Sequence, residues 1–258
     1  MDITKKKILV TVKTYPNPSK KYGETACCAG VDLENNQLIR LYPIPFRDLD
    51  SDKQFKKYNI IEIDCYRSTK DNRPESFKIN SDSISIKDYL DTDKGLWRRR
   101  KEMLSNVPVK SMCQVCKDAE TDNLSLGFIK PENIEFKYSK RSPGDPKKRQ
   151  ACYDQLNLFS KQKNPIEEIP YQFYYKFKCA NTKGCPGHEL SIIDWEIGRA
   201  YRKWRLSYPD ENVRLDKIEQ KWLEISNTDK KDVYFFVGNM NRRKDIFMVL
   251  GVFYPKKM

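Results

Sequence analysis

CANTKGCPGHELSIIDWEIGRAYRKW, residues Cys179 to Trp204, is the stretch on which the reading of this chain turns. An alternating aromatic run, Tyr171 to Lys178, leads into Cys179, and a short turn follows with Gly184, Cys185, Pro186, Gly187 and His188 before a helical pattern begins. The turn holds the only histidine in the chain. Two thiols and an imidazole at C-x5-C-x2-H spacing, in a loop whose glycines let the backbone fold around a small centre, suit a tetrahedral metal ion such as zinc. The ordinary alternative makes Cys179 a buried small hydrophobe and leaves Cys185 and His188 as turn residues. A structural site is closed by four protein ligands, so these three need another.

The fourth ligand stays open at this level. Cys113 and Cys116, spaced C-x2-C in SMCQVCK, are candidates, as are Cys152, Cys27, Cys28 and Cys65. If both Cys113 and Cys116 join, the site is all-thiolate, an iron-sulfur cluster becomes possible and His188 is a neighbour. With one of them the site has three thiolates and the imidazole. Zinc is preferred because histidine ligation is routine for it and rarer in clusters. Cys27 and Cys28 lie in an apolar strand and read as packed thiols, with Cys27 held in reserve as a ligand.

The chain has 258 residues, 38% of them hydrophobic and 12% aromatic, enough for a real core in one large or two small domains. A net charge of +13 draws polyanions, nucleic acid first among them, although a generally lysine-rich surface would have the same balance. No apolar run approaches the ~18 residues of a membrane span, and MDITKKKILVTVKTY lacks an apolar signal region, which predicts a cytoplasmic protein without membrane contact. In a reducing compartment, eight cysteines read as thiols or metal ligands rather than disulfides.

Strands are predicted at Lys7 to Tyr15, Glu24 to Asp32, Gln37 to Tyr42 and within Phe55 to Tyr66, with a hairpin turn at Glu34-Asn35-Asn36. Short strands with tight turns indicate a small barrel or half-barrel. Residues 82 to 106 read as helix. Further strands are expected at Leu124 to Gly127, Ile134 to Tyr138, Tyr171 to Lys178, Val233 to Val237 and Ile246 to Tyr254. Ile193, Ile197, Ala200, Tyr201 and Trp204 form one apolar helix stripe, and Leu215, Ile218, Trp222 and Ile225 a second.

Candidate nucleic-acid contacts are Trp97, Arg98, Arg99 and Arg100, where an indole beside cations can stack on a base while the cations grip phosphates. Arg202, Lys147 and Lys148 in the basic loop Ser139 to Arg149, Arg242 and Arg243 at a late loop tip, and Tyr174 on the second face of its strand complete the set. Each is equally readable as ordinary surface. The acidic residues Asp71, Glu75, Asp194 and Glu196 offer a rival reading, a metal-dependent nuclease. Residues two apart on a helix point to opposite sides, and acids at a helix start complement its dipole, so structural roles are favoured for Asp194 and Glu196. With its one histidine inside the metal motif, the chain has no spare imidazole for general-base work.

The strings KTYPNPSKKYGETACCAGVD, IRLYPIPFR, DNRPES, SLGFIKP, IPYQFYYKFKCANTKGCPGH, DWEIGRAYRKWR, FFVGN and GVFYP together resemble the prokaryotic family of dual OB-fold domain proteins over nearly the whole chain. The resemblance implies two oligonucleotide-binding-type barrels and a setting in antiviral genome defence. Cys27, Cys179, Cys185 and His188 stand in the strings that carry it. The expected architecture is mainly β with inserted helices (α+β): two small OB-like barrels, 1–110 and 111–258, clamped by a metal site. The expected function is binding of nucleic acid, single-stranded first, without catalysis. A nucleotide-sensing or protein-adaptor module is the other alternative.

Overall fold

β1 (Thr4–Lys13) is buried on both faces from Ile8 to Val12, and this double burial organises the molecule. Ile8 and Val10 point into one core cluster, whereas Leu9 and Val12 point into another that includes Phe128, Phe236, Leu250 and Phe253 from the far end of the chain. A strand covered on both sides reads as a near-continuous apolar run, as ILVTV does. The computed structural model describes residues 2–19, 23–142, 166–241 and 243–257.

The first half contributes β2 (Asn17–Ser19), β3 (Gly23–Asp32), β4 (Gln37–Ile44), β5 (Asn59–Arg67), β6 (Ser76–Ile79) and β7 (Ser85–Tyr89). Hydrogen bonding runs β1-β3-β4-β6-β5 and returns from β5 to β1, which closes a five-stranded barrel; β4 and β6 pair in parallel. Its interior is filled by Ile8, Val10, Ile39, Leu41, Phe55, Ile61 and Ile63. Gly30 is required where β3 crosses β1, since a Cβ there would lie 2.2 Å from the Leu9 carbonyl oxygen.

The span 82–106 departs from the expected helix. SISIKDY alternates as a strand does and forms β7 against β5, so the one α-helix of the span is α1 (Arg98–Leu104), with short 3-10 turns at Ser81–Ser83 and Asp93–Gly95. The chain then crosses over: β8 (Val109–Lys110), α2 (Met112–Thr121), β9 (Leu126–Ile129), β10 (Pro131–Lys140), β11 (Tyr171–Cys179), β12 (His188–Ile192), α3 (Trp195–Lys203), α4 (Glu211–Ile225), β13 (Tyr234–Met240) and β14 (Arg243–Phe253). These strands make a second sheet ordered β10-β11-β12-β14-β13-β9-β8. Among the described residues no pairing joins β10 to β8, so one closed barrel is seen where two were expected. α2, α3 and α4 supply Met112, Val115, Ile197, Tyr201, Leu215, Ile218 and Trp222 to the core with Phe173, Tyr175, Phe177 and Phe235. The architecture is α+β, mainly β with four α-helices among the described residues, none of them long and apolar enough to cross a membrane.

The two halves share a buried polar seam. Arg40 donates to the Ser125 carbonyl and hydroxyl at 3.0 and 2.9 Å, and Glu75 accepts from the same hydroxyl at 2.6 Å. Arg73, clamped by Asp71 at 2.9 and 2.7 Å, donates to the Asn239 carbonyl at 3.1 Å. Lys57 meets Asp194 at 2.9 Å. Leaving a buried charge without its ion-pair or hydrogen-bond partner is costly, so these contacts favour one orientation of the two halves.

Candidate metal centre

β12, which the sequence reading ran together with the helix, pairs with β11 so that Phe177 faces His188 across the hairpin. The turn between them reverses through Asn181, Gly184 and Gly187 at φ 56, 73 and 89, a left-handed backbone that glycine and asparagine adopt most readily. This brings Cys179, Cys185 and His188 to one side of the hairpin end. α2 starts above them. Its N-cap Ser111 accepts from the Gln114 amide, which fixes the first turn and directs Cys113 at the same point.

Cys113, Cys179, Cys185 and His188 offer ligand atoms that all lie within 4.8 Å of one another. The Cys113 sulfur is 3.9 Å from that of Cys179 and 3.8 Å from that of Cys185. Nε2 of His188 is 3.4 Å from each of the three sulfurs. A tetrahedron with metal–sulfur bonds of about 2.3 Å and a metal–nitrogen bond of about 2.0 Å has S···S edges of about 3.8 Å and S···N edges of about 3.5 Å. The four groups therefore stand at the vertices a tetrahedral ion needs, and they can hold a metal.

The electrostatics suit thiolates. The Met112 amide donates to Cys179 Sγ at 3.2 Å, and the Cys179 amide donates to Cys185 Sγ at 3.4 Å. The positive end of α2 faces the same sulfurs. Burial pushes the Cys179 thiol up to about 12 and raises Cys113 as well, so without a cation these groups stay protonated. Cys185, also opposed by burial, is held below the usual thiol range by amides of Cys179 and Gly187. Burial lowers His188, keeping its imidazole neutral and able to ligate. A cation would displace the thiol protons, as thiolate ligation requires.

The three ligands of the turn are brought together and Cys113 completes them. Cys116 is absent from the cluster: one turn further along α2, its thiol is raised by burial. Cys27 is also elsewhere, accepting from Arg40 Nη1 at 3.3 Å beside the seam. All four ligands belong to the second half, so an ion here ties α2 to the β11–β12 hairpin rather than one half to the other.

The cationic candidates scatter. Trp97 and Arg100 are interior, 4% and 3% exposed, with the guanidinium 3.7 Å from the Tyr58 ring centroid and 4.5 Å from that of Trp97. Arg98 and Arg99 are exposed and paired with Asp93 and Asp88. Arg202 shares Glu167 with Arg205, Arg243 lies by Asp245 at 3.5 Å, and Tyr174 is half-buried on the outer face of β11. Lys147, Lys148 and Arg242 lie outside the described residues, as does Cys152. The four carboxylates do not gather: Asp71 clamps Arg73, Glu75 holds Ser125, and Asp194 and Glu196 both face Lys57. Lys13, Lys57 and Tyr58, none of them a candidate from the sequence, line one cavity with Trp195 and Glu196.

Fold and site define a mainly β protein with one closed five-stranded barrel and a Cys3His cluster able to bind a metal. Residues 108–258, more than half of the chain, match the family model described as Domain of unknown function (DUF8757), and the chain belongs to that family. Residues 4–106 match a second model, Domain of unknown function (DUF8758). No curated protein matches the chain.

Proposed function

We propose that this is a zinc-stabilised, cytoplasmic nucleic-acid-binding protein that acts by holding a single strand, in the genome-defence setting its sequence resemblance implies. Zinc is the ion that a Cys3His set with tetrahedral spacing favours. The OB reading of the first half is supported by strand count and order: five strands close in the order first, second, third, fifth, fourth, with third and fifth parallel. In such barrels the second and third strands are the usual ligand face. Here β3 and β4 lie against the second half through Ala29, Val31 and Arg40, so strand binding needs another surface.

The observation that carries the proposal is α3 with its C-terminal extension. Arg199, Arg202, Lys203 and Arg205 are exposed within seven residues; Glu196 is the one acid between 195 and 205, and Glu167 alone is shared by Arg202 and Arg205, which leaves a surplus of cations. Cations at this density track a phosphate backbone, and each phosphate neutralised steepens the salt dependence. Titrating fluorescent single-stranded and duplex oligonucleotides at several salt concentrations tests it. Tighter binding of single strands with a steep salt slope is expected, and salt-independent or undetectable binding would reject it.

A further inference from the structure

Between the barrel's outer wall and the start of α3 lies a cavity of about 300 Å³. Lys13, Lys56, Lys57, Arg100 and Arg199 line it together with Tyr58. Two carboxylates oppose these cations, Glu196 in the wall and Asp194 beside it, and both face Lys57, at 3.2 and 2.9 Å. Lys13 has no carboxylate partner among the described residues; its Nζ sits 3.8 Å from the Phe46 ring centroid and 4.4 Å from that of Trp195. Burial, with Lys57 and Arg199 nearby, pushes its ammonium down to about 8.

Arg100 is buried, giving Nε and Nη2 to the Leu90 carbonyl at 2.9 and 2.6 Å. Tyr58 is 4% exposed, held at φ 67, and its hydroxyl has no hydrogen-bond partner among the described residues. A buried hydroxyl left unpaired in a wall of surplus cations is a costly arrangement for the protein alone. An anion that accepts from that wall removes both penalties. Trp195 and Tyr254, both half-buried, add flat apolar surface to the same cavity. Its volume is at the small end of ligand pockets, about 300–1,000 Å³, which suits one nucleotide and not a length of strand.

We propose that this junction cavity binds the phosphate of a single nucleotide unit, with Lys13, Arg199 and the Tyr58 hydroxyl on the phosphate oxygens and the base against Trp195 and Tyr254. A free nucleotide and the phosphorylated end of a strand present the same chemistry. The pocket goes beyond the strand-binding reading and stands whether or not α3 tracks a backbone.

Calorimetry on the full chain tests it with the four nucleoside monophosphates, the matching nucleosides, and oligonucleotides with and without a 5′-phosphate. A monophosphate or a 5′-phosphorylated end is expected to bind at least about 10-fold tighter than its unphosphorylated counterpart. Lys13→Met and Tyr58→Phe each weaken that binding by about 10-fold or more while melting no lower than wild type, because neither removes an ion pair or hydrogen bond of the fold. Lys217→Gln, exposed on α4 and outside the cavity, leaves nucleotide binding unchanged. Binding of monophosphates alone assigns free nucleotide as the source, and binding of phosphorylated ends alone assigns a strand terminus. Absence of both, or unaltered binding by the two cavity variants, overturns the pocket. Oligonucleotide binding that ignores the terminal phosphate and survives Lys13→Met, with no binding of monophosphates, also overturns it, and leaves the strand reading intact.

Discussion

The Cys113 thiol lies 3.4 Å from Nε2 of His188, across 75 residues of chain, and that contact joins the first turn of α2 to the end of the β11–β12 hairpin. The barrel contributes no ligand. Chelation should therefore loosen the second half locally: hydrogen exchange is expected to rise across 112–121 and 179–188 while β1, β3 and β5 stay protected. Uniform exchange over the whole chain would contradict this division. Cys113→Ser should reproduce the loosening, at a cost of several kcal/mol given the order of about 10 kcal/mol for structural zinc binding, and Cys116→Ser should not.

Lys57 and Asp194 form a buried pair at 2.9 Å between the halves. Burial pushes Asp194 up to about 6, against the pull of Lys57, so the carboxylate is still ionised at neutral pH. Lys57→Met strands that charge and should cost about 3–5 kcal/mol in chemical denaturation. Adding Asp194→Asn should return most of the loss, since asparagine still caps α3 by accepting from the Glu196 amide. An additive double variant would mean the pair is not coupled.

Lys13 makes stability depend on pH in a defined window. Its folded-state value, about 8, lies below the ordinary 10.5, so between these values the unfolded chain binds more protons than the folded one. Stability contributed by this group is therefore lowest below pH 8 and rises as pH climbs from 8 toward 10.5. Lys13→Met should be more stable than wild type at pH 7 by at most about 3 kcal/mol, with the gap closing toward pH 10. Parallel curves for the two proteins would show that the ammonium is not desolvated.

The α3 cations should act through charge. Arg202→Gln with Lys203→Gln should weaken single-strand binding at every sequence tested and reduce the slope of log K against log salt by about 0.7 for each phosphate left without its cation. A change in base preference without a change in slope would point to base readout instead.

Much of this was legible in residue order. The thiol-imidazole turn, the apolar stripe through Ile197 and Tyr201 and the alternation from Tyr171 to Lys178 are local patterns, and local geometry delivered them. The fourth ligand was not legible, because Cys113 and Cys116 sit one helical turn apart and only the docking of α2 on the hairpin selects between them. The run from Trp97 to Arg100 hid its outcome for a similar reason. Trp97 stands left-handed at φ 56 before a helix of seven residues, and Arg100 turns inward onto Tyr58, a partner far off in sequence. Closure of a barrel is likewise a property of long-range pairing, which strand patterns do not specify.

The most direct measurement is elemental analysis of protein purified under reducing conditions, with X-ray absorption at the metal edge. The expected result is about one zinc per chain, bound by three sulfurs and one nitrogen, lost in Cys113→Ser and retained in Cys116→Ser. Folded, metal-free wild-type protein, or equal metal in the two variants, would contradict it.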